Sequence, residues 1–158
     1  MTRFGRILQV LVDHDVDFIL IGGVAATAHG AARLTQDIDV VYSRERENLE
    51  RLAAALAPYE PYPRGAPPGL PFLWDAETLA HGLNFTLVTT LGAIDLLGEV
   101  TGGGSYEDLR PHTLLLDVFS VRCRVLDLPR LIEVKRAAGR PKDFEAIAEL
   151  EAILSVRE

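Results

Sequence analysis

Little in this chain can crosslink, and little of its positive charge is lysine: one cysteine, Cys123, and two lysines, Lys135 and Lys142, occur in 158 residues. A lone cysteine excludes an internal disulfide and a cysteine-rich zinc site. No apolar run approaches the roughly 20 residues that a membrane-spanning helix needs. The first residues, Met1-Thr2-Arg3-Phe4-Gly5-Arg6, lead into an amphipathic stretch broken by Asp13, His14 and Asp15. That pattern lacks a signal-peptide core, so a cytoplasmic location with no membrane contact is expected. A net charge of -7 argues against a general polyanion-binding surface. Basic residues nonetheless gather late in the chain, at Arg122, Arg124, Arg130, Lys135, Arg136, Arg140 and Lys142.

What is present is a globular composition, 48% hydrophobic and 25% charged. Phe4, Ile7, Leu8, Leu11 and Val12 recur at helical spacing. Asp17-Phe18-Ile19-Leu20-Ile21 reads as a buried strand, ended by Gly22-Gly23. Val24 to His29 is small-residue helix material closed by Gly30. Asp37 to Tyr42 reads as a second strand, and Arg44 to Leu56 as an amphipathic helix. The proline-rich stretch from Pro58 to Pro71 is expected to cross the core as an ordered loop, with Phe72 and Trp74 as its hydrophobic anchor. Leu83 to Thr89 and Ala93 to Leu97 suit a hairpin turning at Leu91-Gly92. Gly102-Gly103-Gly104 lacks the lysine of a P-loop and reads as a flexible loop. Leu114 to Phe119 and Val121 to Leu126 are two further strands, with Cys123 a small buried residue of the second. Pro129 and Pro141 each mark the first turn of a helix. These elements predict one α/β or α+β domain over residues 1–158, with a sheet-bearing core at 1–126 and a helical part at 127–158.

Asp37 and Asp39 stand two apart on a predicted strand, so both carboxylates face the same way. At about 6.6 Å backbone separation they can converge on a hard cation. An Asp-x-Asp alone equally suits a strand with one polar face. The order around it adds to the signal: strand, Gly22-Gly23, helix, then the acid pair. Glycines there let backbone amides approach a phosphate, with a helix start behind them. Asp95, flanked by Ile94 and Leu96, needs a metal or a basic partner if it is inside the sheet, or water if its strand lies at an edge. His14, His81 and His112 lack metal-ligand spacing to one another.

The string Gly22-Gly23-Val24-Ala25, His29-Gly30, Arg33, Thr35, Asp37-Ile38-Asp39 resembles the first motif of the minimal nucleotidyltransferases of the DNA polymerase beta superfamily. The bacterial abortive-infection and toxin–antitoxin nucleotidyltransferases are the nearer likeness. Superfamily members often carry a serine at or after the second glycine, where this chain has Val24. The resemblance continues through Asp95 as third carboxylate and through Lys135 and Gly139-Arg140-Pro141-Lys142-Asp143. It implies a nucleotidyltransferase fold, with a mixed central sheet flanked by helices and with C-terminal helices. It also implies Mg²⁺ or Mn²⁺ held by Asp37, Asp39 and Asp95, and a nucleoside triphosphate bound by Gly22, Gly23, Arg33, Thr35, Lys135 and Asp143. Asp37, Asp39, Asp95 and Lys135 would carry catalysis. The acceptor would be tRNA, another RNA, a protein or a small molecule, with an antitoxin as a partner in the toxin case. The rival expectation is a non-catalytic ligand- or partner-binding module on the same fold.

Overall fold

The computed structural model describes residues 2–32, 34–141 and 143–157. In chain order the elements are α1 (Phe4–Asp13), β1 (Phe18–Ile21), α2 (Gly22–Ala28), β2 (Asp37–Tyr42), α3 (Arg46–Leu56), β3 (Tyr62–Pro63) and α4 (Ala76–His81). They continue with β4 (Asn84–Thr89), β5 (Gly92–Leu97), β6 (Glu99–Val100), β7 (Gly104–Ser105), α5 (Tyr106–Leu109), β8 (Thr113–Val118), β9 (Val121–Leu126), α6 (Leu128–Ala138) and α7 (Asp143–Arg157). The main sheet runs β3-β4-β5-β2-β1-β9-β8, seven strands with parallel pairs at β2–β5 and β1–β9 and antiparallel pairs elsewhere. It is the mixed sheet flanked by helices that the sequence predicts.

Alternation along β2 explains how one strand serves both core and site. Ile38 and Val40 are fully buried, whereas Asp37 and Asp39 are half-buried on the opposite face. Beside β2, Ile94 and Leu96 of β5 repeat the pattern with Asp95 between them. Each fully buried leucine or isoleucine contributes about 1.5–3 kcal/mol of transfer free energy, so register here is held firmly: a slip of one residue would drive the acids into the core. Polar groups beside this core layer find partners. Asn48 of α3 accepts from the Asp17 N–H at 2.7 Å and donates to the Ser43 carbonyl at 2.8 Å, and the Tyr42 hydroxyl donates to the Leu83 carbonyl at 2.7 Å.

Several expectations are corrected. The helix after β1 starts at Gly22 itself instead of Val24, and the next helix starts at Arg46 instead of Arg44. The proline-rich crossing does pack on the core through Tyr59, Phe72 and Trp74, whose indole N–H donates to the Ala53 carbonyl at 2.9 Å. It also contributes β3, at a sheet edge where Pro63 lacks no needed ladder bond. Asp75 then caps α4 by accepting from the Thr78 N–H at 2.8 Å. Gly102-Gly103-Gly104 is no open loop. A Cβ on Gly102 would lie 2.2 Å from that of Ala137, so this segment is pressed against α6. Cys123 is buried and its thiol is pushed up to about 11, chiefly by burial, as befits a packing residue. The final helix starts at Asp143, two residues beyond Pro141.

Candidate functional site

Cross-strand register builds the acidic cluster. Asp39 lies opposite Asp95 in the parallel β2–β5 pair, and directly opposed residues share a face. Asp37, two residues earlier, points the same way. One carboxylate oxygen from each of Asp37, Asp39 and Asp95 lies within 4.8 Å of the other two. β5 is an interior strand between β4 and β2, so the alternative of Asp95 as an edge acid facing water is overturned. Asp95 has the basic partner that an interior acid needs: Arg64 Nη2 donates to its Oδ1 at 2.7 Å. The same guanidinium comes within 3.6 Å of Asp37 Oδ2.

Crowding of like charge changes the chemistry of the central acid. Burial first, then the Asp37 charge, then the hydrogen bond that protonated Asp39 donates to Asp95 and the charge of Asp95, push the Asp39 carboxyl up to about 8. Lys135 pulls in the other direction. The crowded cluster therefore favours the protonated form of this acid, and a bound cation would oppose that shift.

Gly22 and Gly23 have a job that their spacing alone did not reveal. Gly22 sits at φ +70°, and a Cβ there would lie 2.1 Å from Asp39 Oδ2. A Cβ on Gly23 would lie 2.8 Å from that of Thr35. The room left by the two missing side chains is thus taken by Asp39 and Thr35. The Thr35 hydroxyl donates to the Asp37 carbonyl at 3.1 Å, tying the approach to β2 against the glycine turn.

A cleft of about 690 Å³ opens over this face, walled by α2, α6 and α7 as well as by the sheet. Gly22, Gly23, Thr35, Asp37, Asp39, Asp95, Lys135 and Asp143 all line it, so the structure gathers the sequence-selected residues it describes. Arg33 lies outside the described residues. Asp143 is buried and already engaged, accepting from Arg140 Nε at 2.8 Å and from Nη2 at 3.4 Å. Arg64 was missed by sequence reasoning. Its signal was its isolation, as the one arginine or lysine between Arg51 and Arg110.

The donor set fits a hard divalent cation: three carboxylates converge, and the glycine beside them leaves space for the Asp39 oxygens. No family model and no curated protein matches the chain. Among solved structures it is similar to a crystal structure of a candidate nucleotidyltransferase from Thermotoga maritima, with a TM-score of 0.58 and 14% identity. The match covers 94% of this chain and 93% of the other. The chain therefore has a nucleotidyltransferase-like fold, and at that identity the likeness concerns the fold alone.

Proposed function

We propose that this protein is a metal-dependent nucleotidyltransferase, moving a nucleoside monophosphate from a nucleoside triphosphate to an acceptor hydroxyl. The observation that carries this reading is the convergence of Asp37, Asp39 and Asp95 at the floor of a cleft that also contains Lys135. In this reading the three carboxylates hold Mg²⁺ or Mn²⁺. Bound divalent cations supply activation of the acceptor oxygen and charge stabilisation for the departing pyrophosphate. Lys135 offers a compact positive charge to phosphate oxygens, and Arg33 is assigned the same task from its place in the sequence motif. Thr35 fixes the backbone leading to Asp37. Asp143 orients Arg140, whose guanidinium faces the same cleft. The Gly22-Gly23 turn presents backbone amides to phosphate while accommodating Asp39.

The resemblance of the sequence motifs to those of the abortive-infection and toxin–antitoxin nucleotidyltransferases supports a reading with an RNA end (tRNA included) or a protein side chain as acceptor and an antitoxin as partner. Incubation of the protein and Mg²⁺ with α-labelled nucleoside triphosphates and, separately, total RNA, cell protein and small hydroxyl compounds tests this. Label should enter one acceptor class with wild type and none with Asp39→Asn. A second reading, a non-catalytic nucleotide-binding module, is favoured by one observation, the Arg64 guanidinium already paired with Asp95 and near Asp37. Retained triphosphate binding with no label transfer to any acceptor would select it.

A further inference from the structure

The acidic cluster has a cation of the chain's own, and the sheet places it there by register. Pro63 lies opposite Leu87, and one residue on, the Arg64 N–H donates to the Thr86 carbonyl at 2.9 Å. Thr86 lies opposite Asp95, and Asp95 opposite Asp39. Arg64, Thr86, Asp95 and Asp39 thus form one row across the sheet, leaning to one face. Strands lie about 4.8 Å apart, so an arginine two strands from Asp95 is long enough to reach over Thr86 to its carboxylate, whereas a shorter side chain is not. The guanidinium is fixed at three points: Asp95 Oδ1 at 2.7 Å, the Leu87 carbonyl at 2.9 Å, and Asp37 Oδ2 at 3.6 Å. Two of these three are oxygens of the carboxylates that would coordinate a metal.

We propose that Arg64 is a resident counter-cation, a positioning residue that competes with the divalent cation for Asp37 and Asp95. This rests on the reading of the triad as a cation site. Without metal, Arg64 neutralises part of the cluster and keeps Asp37 and Asp95 turned to a common centre. Cation entry requires the guanidinium to give up those oxygens, so the affinity of the site is lower than three carboxylates alone would give. An arginine that merely braced the β3–β4 edge would leave cation affinity unchanged, or lower it when removed.

The test is Mn²⁺ binding to the full chain, read from the free-ion electron paramagnetic resonance signal, with no nucleotide present. Arg64→Gln removes the competing charge, and its Mn²⁺ affinity should rise roughly threefold to tenfold over wild type. Arg64→Lys keeps a charge but loses the planar fork and should fall between the two. Circular dichroism checks folding. If the glutamine variant does not fold, the lysine variant carries the test, with tighter binding than wild type expected. Unchanged or weaker affinity in the variants, with wild type still binding, overturns the role of Arg64 and leaves the proposed function standing. If neither wild type nor variant binds Mn²⁺, the cation site itself fails, and the competition falls with it.

Discussion

Two charged regions of this molecule are built on opposite plans. Along α6 and at its junction with α7, charge is resolved locally: Arg140 pairs with Asp143, Arg136 with Glu151 and Arg130 with Glu133. On the sheet, Asp37, Asp39 and Asp95 crowd together with, among the described residues, one close guanidinium, that of Arg64, and the field of Lys135. The first region is held by its own ion pairs. In the second, burial and the neighbouring carboxylates raise the Asp39 carboxyl well above its ordinary range. Unresolved charge on a firmly registered scaffold is what sets a binding site apart from a solvated face.

Substitutions can break this contrast, and the glycine beneath Asp39 should do so most severely. Gly22→Ala places a methyl group on Asp39 Oδ2 and keeps a positive φ, and should cost about 3 kcal/mol in urea denaturation. Gly65→Ala is its control, with φ +82° but nothing within 4 Å of the new Cβ. It should cost only about 1 kcal/mol. Equal losses would mean that Asp39 does not need the room.

Next come two carboxylates with opposite expected signs. Asp143→Asn weakens the pairing of a buried carboxylate with the exposed Arg140 guanidinium and should destabilise by about 1 kcal/mol. Asp39→Asn removes like-charge crowding and should raise the metal-free melting temperature above pH 8. Destabilisation by both would erase the distinction between the regions.

The pH dependence sharpens it further. The Asp39 carboxyl is raised from 3.8 to about 8, so its favourable contribution is complete below about 4 and is lost as pH rises through 8. His29 gives the opposite slope. Its Nδ1 accepts from Arg157 at 3.0 Å and its Nε2–H donates to the Leu126 carbonyl at 2.8 Å, which requires the neutral ring. Burial lowers its pKa from 6.5, so the stability it provides is present above 6.5 and declines as pH falls below that value. Melting curves across pH should lose part of their decline between about pH 4 and 8 in Asp39→Asn and part of their acid slope in His29→Gln. The smallest effect is expected at the exposed Arg136–Glu151 pair, where Glu151→Gln should shift stability by less than about 0.5 kcal/mol.

Much of this was legible in the chain. β2 and β9 have the bounds that their alternating residues predict, because alternation is a local signal. The acid pair and the glycine turn were visible for the same reason. Asp95 was recognisable as needing a partner, but whether it lay inside the sheet depended on strand order. Arg64 was out of reach. Its role follows from β3, a two-residue strand among prolines, and from register across three strand pairs, neither of which leaves a periodic trace. The helix α4 was missed because its six residues are too few to show an amphipathic period, although Asp75 and Thr78 mark its cap. Gly102 looked like a flexible loop because the α6 surface that it packs against comes much later in the chain.

The most direct measurement is calorimetric titration of a non-hydrolysable nucleoside triphosphate into wild type and Asp39→Asn, each with and without Mn²⁺. Wild type should bind the triphosphate when Mn²⁺ is present and at least about tenfold more weakly without it, while the variant should show no metal-dependent gain. Triphosphate binding that is absent, or equally strong with and without Mn²⁺ and insensitive to Asp39→Asn, would contradict a metal-dependent nucleotide site on Asp37, Asp39 and Asp95.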